Sequence, residues 1–368
     1  MNAETLRKKV AKKEGAYALL YPLFFALSIL YCAIARIRNK FYDWKILPST
    51  SFPIPVISVG NVIAGGSGKT PLVESIYTIL EESGFRPAIV TRGYKGNFKG
   101  TAIATPDAKK FGDEASVYAL KNYFTVVSKD RAKGVQFAAE NGANAVILDD
   151  GFQHRKVIPT INIVAIDPFK PFGDNRCLPL GLLREPLSGL ERADAFVITR
   201  ANVVSKKRLE SVELYLKTYR KPIFFGSQEF KYWINKNFQK TLPPEKEIDV
   251  FCGIGNPGQF VEMLIKMGFK IRNLFIFEDH HNYTEKELEE LSKLQNPVTT
   301  EKDLIKIHDK INFDVKVPVL RMEVSGLKEF LLNNIKNVEK AEEENLEEGI
   351  APAGVSAFES KSLLSTKR

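Results

Sequence analysis

Sulfur and imidazole chemistry have little to draw on in this sequence. Its 368 residues include three cysteines, four histidines and two tryptophans. Cys32, Cys177 and Cys252 stand too far apart to make a metal-spaced pair, which excludes a C-x-x-C zinc framework and points to a reducing compartment without structural disulfides. Nucleic-acid readers are poorly represented too, with no RNA-binding signature, zinc-finger spacing or basic zipper. Acidic residues are outnumbered, 44 against 53 basic, and the formal charge of +9 predicts anionic partners. Of nucleic acid, acidic lipid and phosphorylated small molecules, nucleic acid is the least supported. The length and an apolar content of 44% allow two domains with real cores.

What is present centres on Ile54 to Leu80. A β-branched apolar run leads into Gly65-Gly66-Ser67-Gly68-Lys69-Thr70, and an amphipathic pattern follows. A strand that ends in a glycine-rich turn and restarts as a helix aims several backbone N–H groups and the positive helix end at one point, which suits a phosphate. Lys69 is placed to reach β- and γ-phosphate oxygens, and the Thr70 hydroxyl to ligate Mg²⁺. Pro71 falls in the first helical turn, where its missing N–H costs nothing. The usual phosphate loop has glycine where this chain has Ile63, and Gly65-Gly66 is expected to compensate. Partitioning ATPases carry a signature lysine where this chain has Ala64, and the guanine-reading NKxD motif is absent.

Ahead of this loop, Ala16 to Ile34 is a run of nineteen mostly apolar residues, close to the ~20 that span a bilayer as a helix. Lys8, Lys9, Lys12 and Lys13 precede it; Arg36, Arg38 and Lys40 follow. A secretory signal would carry a nucleotide-dependent enzyme away from its nucleotide. Positive charge on both flanks, Pro22, Ser28 and three tyrosines favour a helix embedded in the membrane interface over a single span, with a buried core helix as the bland alternative.

Beyond the loop, continuous apolar strands alternate with helical segments: Pro87 to Thr91, Tyr123 to Val127, Ala145 to Leu148, Ile161 to Ile166 and Ala195 to Thr199. The expected fold class is α/β, a P-loop NTPase-like, mostly parallel sheet with helices on both faces and active residues at the carboxyl ends of the strands. Asp149-Asp150 closes one such strand, the usual place of a Mg²⁺ carboxylate in a P-loop enzyme. Arg92 lies in a turn after another. Asp113-Glu114 reads from composition alone as a surface pair. The Pro- and Gly-rich stretch from Pro168 to Pro186 is a working loop with Arg184 and Glu185 at its charged centre, suited to an anion or to a structural salt bridge.

A second, smaller α/β unit starts near Ile248. Gly253, Gly255 and Gly258 spell GxGxxG with Glu278 twenty residues beyond, the spacing of a dinucleotide fingerprint. Asn256-Pro257 and the short remaining chain weigh against a nicotinamide enzyme. Glu278-Asp279-His280-His281 sets two histidines beside acids, a pattern suited to proton transfer or to a polar turn.

The ordered set ISVGNVIAGGSGKTP, TRGY, FGDE, LDDGFQH, LREP, GIGNP, EDHHNY and TTEKD, spanning Ile57 to Asp303, resembles the bacterial tetraacyldisaccharide 4′-kinase family. That resemblance implies transfer of the ATP γ-phosphate to the 4′-hydroxyl of an acylated disaccharide 1-phosphate at the cytoplasmic face of the inner membrane. The cofactors it implies are ATP and Mg²⁺. Lys69 and Thr70 then serve ATP and Mg²⁺, and Asp149 and Asp150 are the Walker B acids. Asp113 is the general base with His280 as its partner, and Glu114, Gln153, Arg184 and Glu185 match further active-site positions. Should Asp113 and His280 belong to different lobes, closure would assemble the base around bound substrate. The chain departs from the family at Ala115, where proline is usual after GDE, and in PLGLLREP. The expected organisation is a membrane-associated helix (1–41), a kinase core (42–221), a β-hairpin linker (222–247), a smaller α/β lobe (248–336) and a flexible tail (337–368). The expected partners are the lipid substrate and the membrane surface, without nucleic acid or an obligate protein partner.

Overall fold

The computed structural model describes residues 3–279 and 281–347. The chain divides into two compact units, Met1–Val90 with Asp130–Ser227 and Glu323–Arg368, and Thr91–Lys129 with Gln228–Met322. The sequence reading runs one core from 42 to 221. Thr91–Lys129 instead belongs with the later residues, because its helix Asp113–Leu120 packs on helix Glu301–Ile307 and Lys121 pairs with Glu301 at 3.0 Å.

In the first unit, parallel strands lie in the order Ile223–Ile234, Ala195–Ile198, Ile161–Ile166, Val56–Gly60, Ala145–Asp149, Pro87–Thr91. The three central strands are buried along their whole length, which is why their sequences are continuous apolar runs rather than alternating ones. The strand that leads into the phosphate loop sits between two strands that come later in the chain. That crossover brings the carboxyl ends of all three, at Gly60, Asp149 and Ile166, to one edge, the place where such sheets bind ligands. Helix Lys69–Glu82 lays Leu72, Val73, Ile76, Tyr77 and Leu80 on the sheet, an i, i+4, i+8 stripe.

The apolar amino-terminal run forms a 3₁₀ turn, Gly15–Leu20, and then the helix Tyr21–Asp43. Ser28, Ala35 and Asn39 are its buried positions, and Cys32 packs against the core between them. Positions 28, 32, 35 and 39 form a narrow seam along one side of a helix. Most of the remaining positions up to Ile34 are apolar and exposed, including Leu23, Leu27, Leu30 and Ile34, and exposed Arg36, Arg38 and Lys40 follow.

The second unit has a parallel three-stranded sheet, Lys270–Ile276, Glu247–Cys252 and Pro297–Val298, and an antiparallel pair, Thr101–Ile103 with Thr125–Ser128. Phe251, Leu304, Ile307 and Val317 lie in its core. Trp233 pairs with Thr241 in a short antiparallel ladder within the stretch read as a hairpin. Where the sequence reading begins a tail at 337, the helix Leu327–Glu347 continues. Leu327, Leu331 and Ile335 are buried along it at four-residue spacing, and past 337 the sequence is rich in Glu, Lys, Ala and Leu, all strong helix formers. Residues 348–368 lie outside the described part.

Candidate active site

The phosphate loop is closed by contacts that leave its backbone open. Gly68 caps helix Lys69–Glu82 at φ 77°, and a Cβ there would sit 3.0 Å from the Thr199 side chain, so only glycine fits. The Thr199 hydroxyl donates to the Ser67 carbonyl at 2.9 Å, and the Asn61 amide donates to Ser67 Oγ at 2.8 Å. Gly65 and Gly66 are exposed with no neighbour near their Cβ positions, which leaves room for an anion. Ile63, at the position where glycine is usual, turns its side chain into the apolar core with Cys177 and Leu183. The departure therefore alters the entry to the loop and not the cradle.

Asp149 ends its strand 1% exposed, with its carbonyl held by buried Arg131 at 3.1 Å. Asp150 follows in the left-handed region at φ 56°. That conformation turns its carboxylate towards Lys69, 3.3 Å from Oδ1, and Arg184, 2.7 Å from Oδ2. Burial alone would push the Asp150 carboxyl up, but the charges of Lys69 and Arg184 outweigh it and hold it down to about 2. Two cations and one carboxylate held ionised at neutral pH thus share the mouth of the cradle.

No group of three or more His, Cys, Asp or Glu among the described residues is arranged to hold a metal unaided. Mg²⁺ does not ask for one, since it takes one or two carboxylates along with phosphate and water oxygens. Thr70, Asp149 and Asp150 are a donor set of that kind. Asp150 Oδ1, buried beside the Lys69 ammonium at 3.3 Å, is a carboxylate oxygen with lone-pair capacity to spare and fits such a role.

Gln153 and Glu185 come together on the same side. The Gln153 amide donates to the Asn61 carbonyl at 2.7 Å and to Glu185 Oε1 at 3.0 Å. Glu185 has no exposed surface; Arg192 binds both of its oxygens at 2.9 and 2.8 Å, and Asn39 donates to Oε2 at 2.7 Å. Of the two readings of LREP, Arg184 fits the anion and Glu185 the salt bridge. A carboxylate enclosed in this way has no face left for a substrate. Glu185→Ala is expected to destabilise the protein by about 3 kcal/mol, because it strands the Arg192 guanidinium, and a lowered denaturant midpoint would show it. His154, the last residue of LDDGFQH, is held neutral by burial and then by Arg131, its pKa lowered to about 4, so it is not a proton donor at neutral pH.

Asp113, Glu114 and Arg92 belong to the second unit. Asp113 opens helix Asp113–Leu120, where a carboxylate meets the positive helix end. A Cβ on the preceding Gly112, at φ 85°, would fall on the Tyr94 carbonyl, which packs the TRGY turn, with its exposed Arg92, against the GDE segment. Composition does not announce Lys306. Its ammonium, almost fully buried, lies 4.0 Å from Asp113 and 3.7 Å from Asp303. Asp303 in turn accepts from the Gly253 N–H at 3.0 Å and from the Thr300 hydroxyl at 2.6 Å, tying GIGNP to TTEKD. His281 stacks on Phe277 and pairs with Glu287 at 3.1 Å. His280, the residue named by the resemblance, lies outside the described residues. Thr199, Asn61 and Asn39 were also missed. Thr199 could have been found from its place just past a strand's carboxyl end, whereas asparagine carries no comparable signal.

Comparison with known proteins bears on most of the chain. The family described as tetraacyldisaccharide-1-P 4'-kinase matches residues 18–337. The tetraacyldisaccharide 4'-kinase of Desulfotalea psychrophila is 36% identical over 308 residues, covering 78% of this chain and 88% of that protein. That of Aquifex aeolicus is 38% identical over 307 residues, with 79% and 92% covered. The crystal structure of the "apo" form of LpxK from Aquifex aeolicus in complex with ATP superposes with a TM-score of 0.72 at 33% identity, covering 86% of this chain and 99% of that one. Over this length, and at this identity, the chain belongs to the tetraacyldisaccharide 4'-kinase family.

Proposed function

We propose that this protein transfers the γ-phosphoryl group of ATP to the 4′-hydroxyl of a tetraacyldisaccharide 1-phosphate, completing the 1,4′-bisphosphate of a lipid A precursor (lipid IVA). The observation that carries this reading is the gathering of Lys69 and Arg184 around Asp150 at the mouth of a glycine cradle. Phosphoryl transfer is mostly positioning and charge stabilisation, and this cluster can provide both. The loop from Gly65 to Thr70 holds the phosphates, with Lys69 and Arg184 drawing charge off the transferring group. Thr70, Asp149 and Asp150 would hold Mg²⁺, to which the family resemblance adds Glu114 as a further carboxylate, and the ion would supply positive charge to offset that of the phosphates. Asp113 takes the proton of the sugar hydroxyl, a poor nucleophile until it is deprotonated, and His280 is its partner. Arg92 and Gln153 serve the substrate side. The test is incubation with labelled ATP and a panel of acyl disaccharides, other glycolipids and nucleosides. Label confined to the acyl disaccharide is the expected result; label in a nucleoside would overturn the reading.

The same proposal places the enzyme at the cytoplasmic face of the inner membrane, on its interfacial helix. Gly15–Asp43 is long and apolar enough to cross a bilayer, an 18-residue window within it having a mean hydropathy of 2.1 with 6% of that window buried. The seam from Ser28 to Asn39 is nevertheless fastened to protein: Ser28 donates to the Cys177 carbonyl at 2.7 Å and Asn39 to Glu185. A helix fastened along one side is suited to lying in the interface with its free faces in lipid. Replacing Leu23, Leu27, Leu30 and Ile34 together by glutamate leaves the seam untouched. Vesicle binding is expected to weaken at least about a hundredfold, since each side chain contributes about 1.5–3 kcal/mol on burial. Co-sedimentation measures it, and unchanged binding would favour a soluble small-molecule kinase of the same fold.

A further inference from the structure

We infer that Asn39, on the apolar helix, is a positioning residue for the phosphate loop, acting through the hydrogen-bonded chain Asn39, Glu185, Gln153, Asn61, Ser67. The inference rests on reading Gly65–Thr70 as the nucleotide cradle. Every link lies within one compact unit and is short: 2.7 Å from Asn39 to Glu185, 3.0 Å from Gln153 to Glu185, 2.7 Å from Gln153 to the Asn61 carbonyl, and 2.8 Å from the Asn61 amide to Ser67.

Each member has little freedom to move alone. Glu185 is fully buried and receives Asn39, Gln153 and both Arg192 contacts, so its carboxylate plane has one orientation. Gln153 uses its amide nitrogen on two acceptors that lie apart, which fixes its rotamer. Asn61 has no exposed surface; its carbonyl is held by Gln153 and its side chain reaches back to Ser67. Asn61 Oδ1 takes no hydrogen bond among the described residues, but every link of the chain itself is made, and a hydrogen-bonded chain enclosed in this way is stiff, its ends felt at each other. The helix that meets lipid is thereby wired to the loop that cradles phosphate. Ser28 fastens the same helix to the Cys177 carbonyl and is not a link in this chain, so the two anchors separate fastening from positioning.

The experiment uses the full chain with ATP and tetraacyldisaccharide 1-phosphate in mixed micelles, with co-sedimentation on anionic vesicles alongside. Asn39→Leu is expected to lower kcat/KM for ATP about tenfold, the scale of one hydrogen bond to a charged group, with vesicle binding unchanged. Ser28→Ala is expected to stay within about twofold of the unmodified enzyme, because it breaks an anchor outside the chain. Combined with Gln153→Ala, Asn39→Leu should add less than about threefold to the loss, the non-additivity of linked residues. Equal losses in Asn39→Leu and Ser28→Ala, full additivity with Gln153→Ala, or no loss in a folded Asn39→Leu would each overturn the inference. Should Asn39→Leu fail to fold by circular dichroism, Asn39→Ala is held to the same thresholds. Lys69→Ala with turnover intact would instead bring down the cradle reading, and this inference with it.

Discussion

Lys69→Ala is expected to abolish phosphorylation of the lipid acceptor, with turnover falling by about 10²–10³ or more, the cost of losing a pre-placed stabiliser of transition-state charge. The lysine is the first residue of its helix, and its ammonium lies 3.3 Å from the Asp150 carboxylate, nearly enclosed by protein. A cation held so close to the cradle mouth needs no search to meet a phosphate oxygen. The substitution leaves the fold in place, because Asp150 keeps its 2.7 Å contact with Arg184 and stays paired. Transfer of label from ATP measures the loss, and circular dichroism shows that the chain is folded. A nicotinamide enzyme built on Gly253, Gly255 and Gly258 predicts the opposite, cofactor binding that survives the change.

The parts of this architecture that sequence discloses are those written in local pattern. A strand, a glycine turn and a helix occupy contiguous residues, so Val56–Gly60, the loop and Lys69–Glu82 stand in the chain as they stand in space. Asp149-Asp150 is legible for the same reason, since Asp149 closes a run of five buried strand residues and Asp150 follows it directly. What sequence hides is decided by partners far along the chain. The pairing of Lys121 with Glu301 assigns Thr91–Lys129 to the second unit, and it joins residues 180 positions apart. Arg184 and Glu185 look alike as a charged pair, yet one faces the cradle and the other is enclosed by Arg192, Asn39 and Gln153. The seam of the apolar helix is hidden by its own surroundings, because Ser28, Cys32 and Ala35 do not stand out where the helix is apolar nearly all round, and Asn39 does not stand out among Arg36, Arg38 and Lys40.

Asp113→Ala is expected to slow turnover by about 10²–10⁴ while leaving ATP affinity nearly unchanged, the signature of a lost general base. A sugar hydroxyl binds its proton far too tightly to attack phosphorus readily at neutral pH, so the carboxylate matters only as the new bond forms. ATP bound in the cradle has no need of it. The local fold is expected to survive: Lys306 keeps Asp303 at 3.7 Å, and Lys121 still ties the far end of the same helix to Glu301 at 3.0 Å. Gly112 keeps the helix start in place by its close fit against Tyr94. Calorimetric titration with ATP gives affinity and single-turnover transfer gives the chemical rate, so the two effects are read separately. Comparable losses in both would mean that Asp113 shapes the nucleotide site and would remove it from proton transfer. A loss confined to the chemical step assigns the proton to Asp113, and the buried ammonium of Lys306 would then neighbour a working base rather than a surface acid.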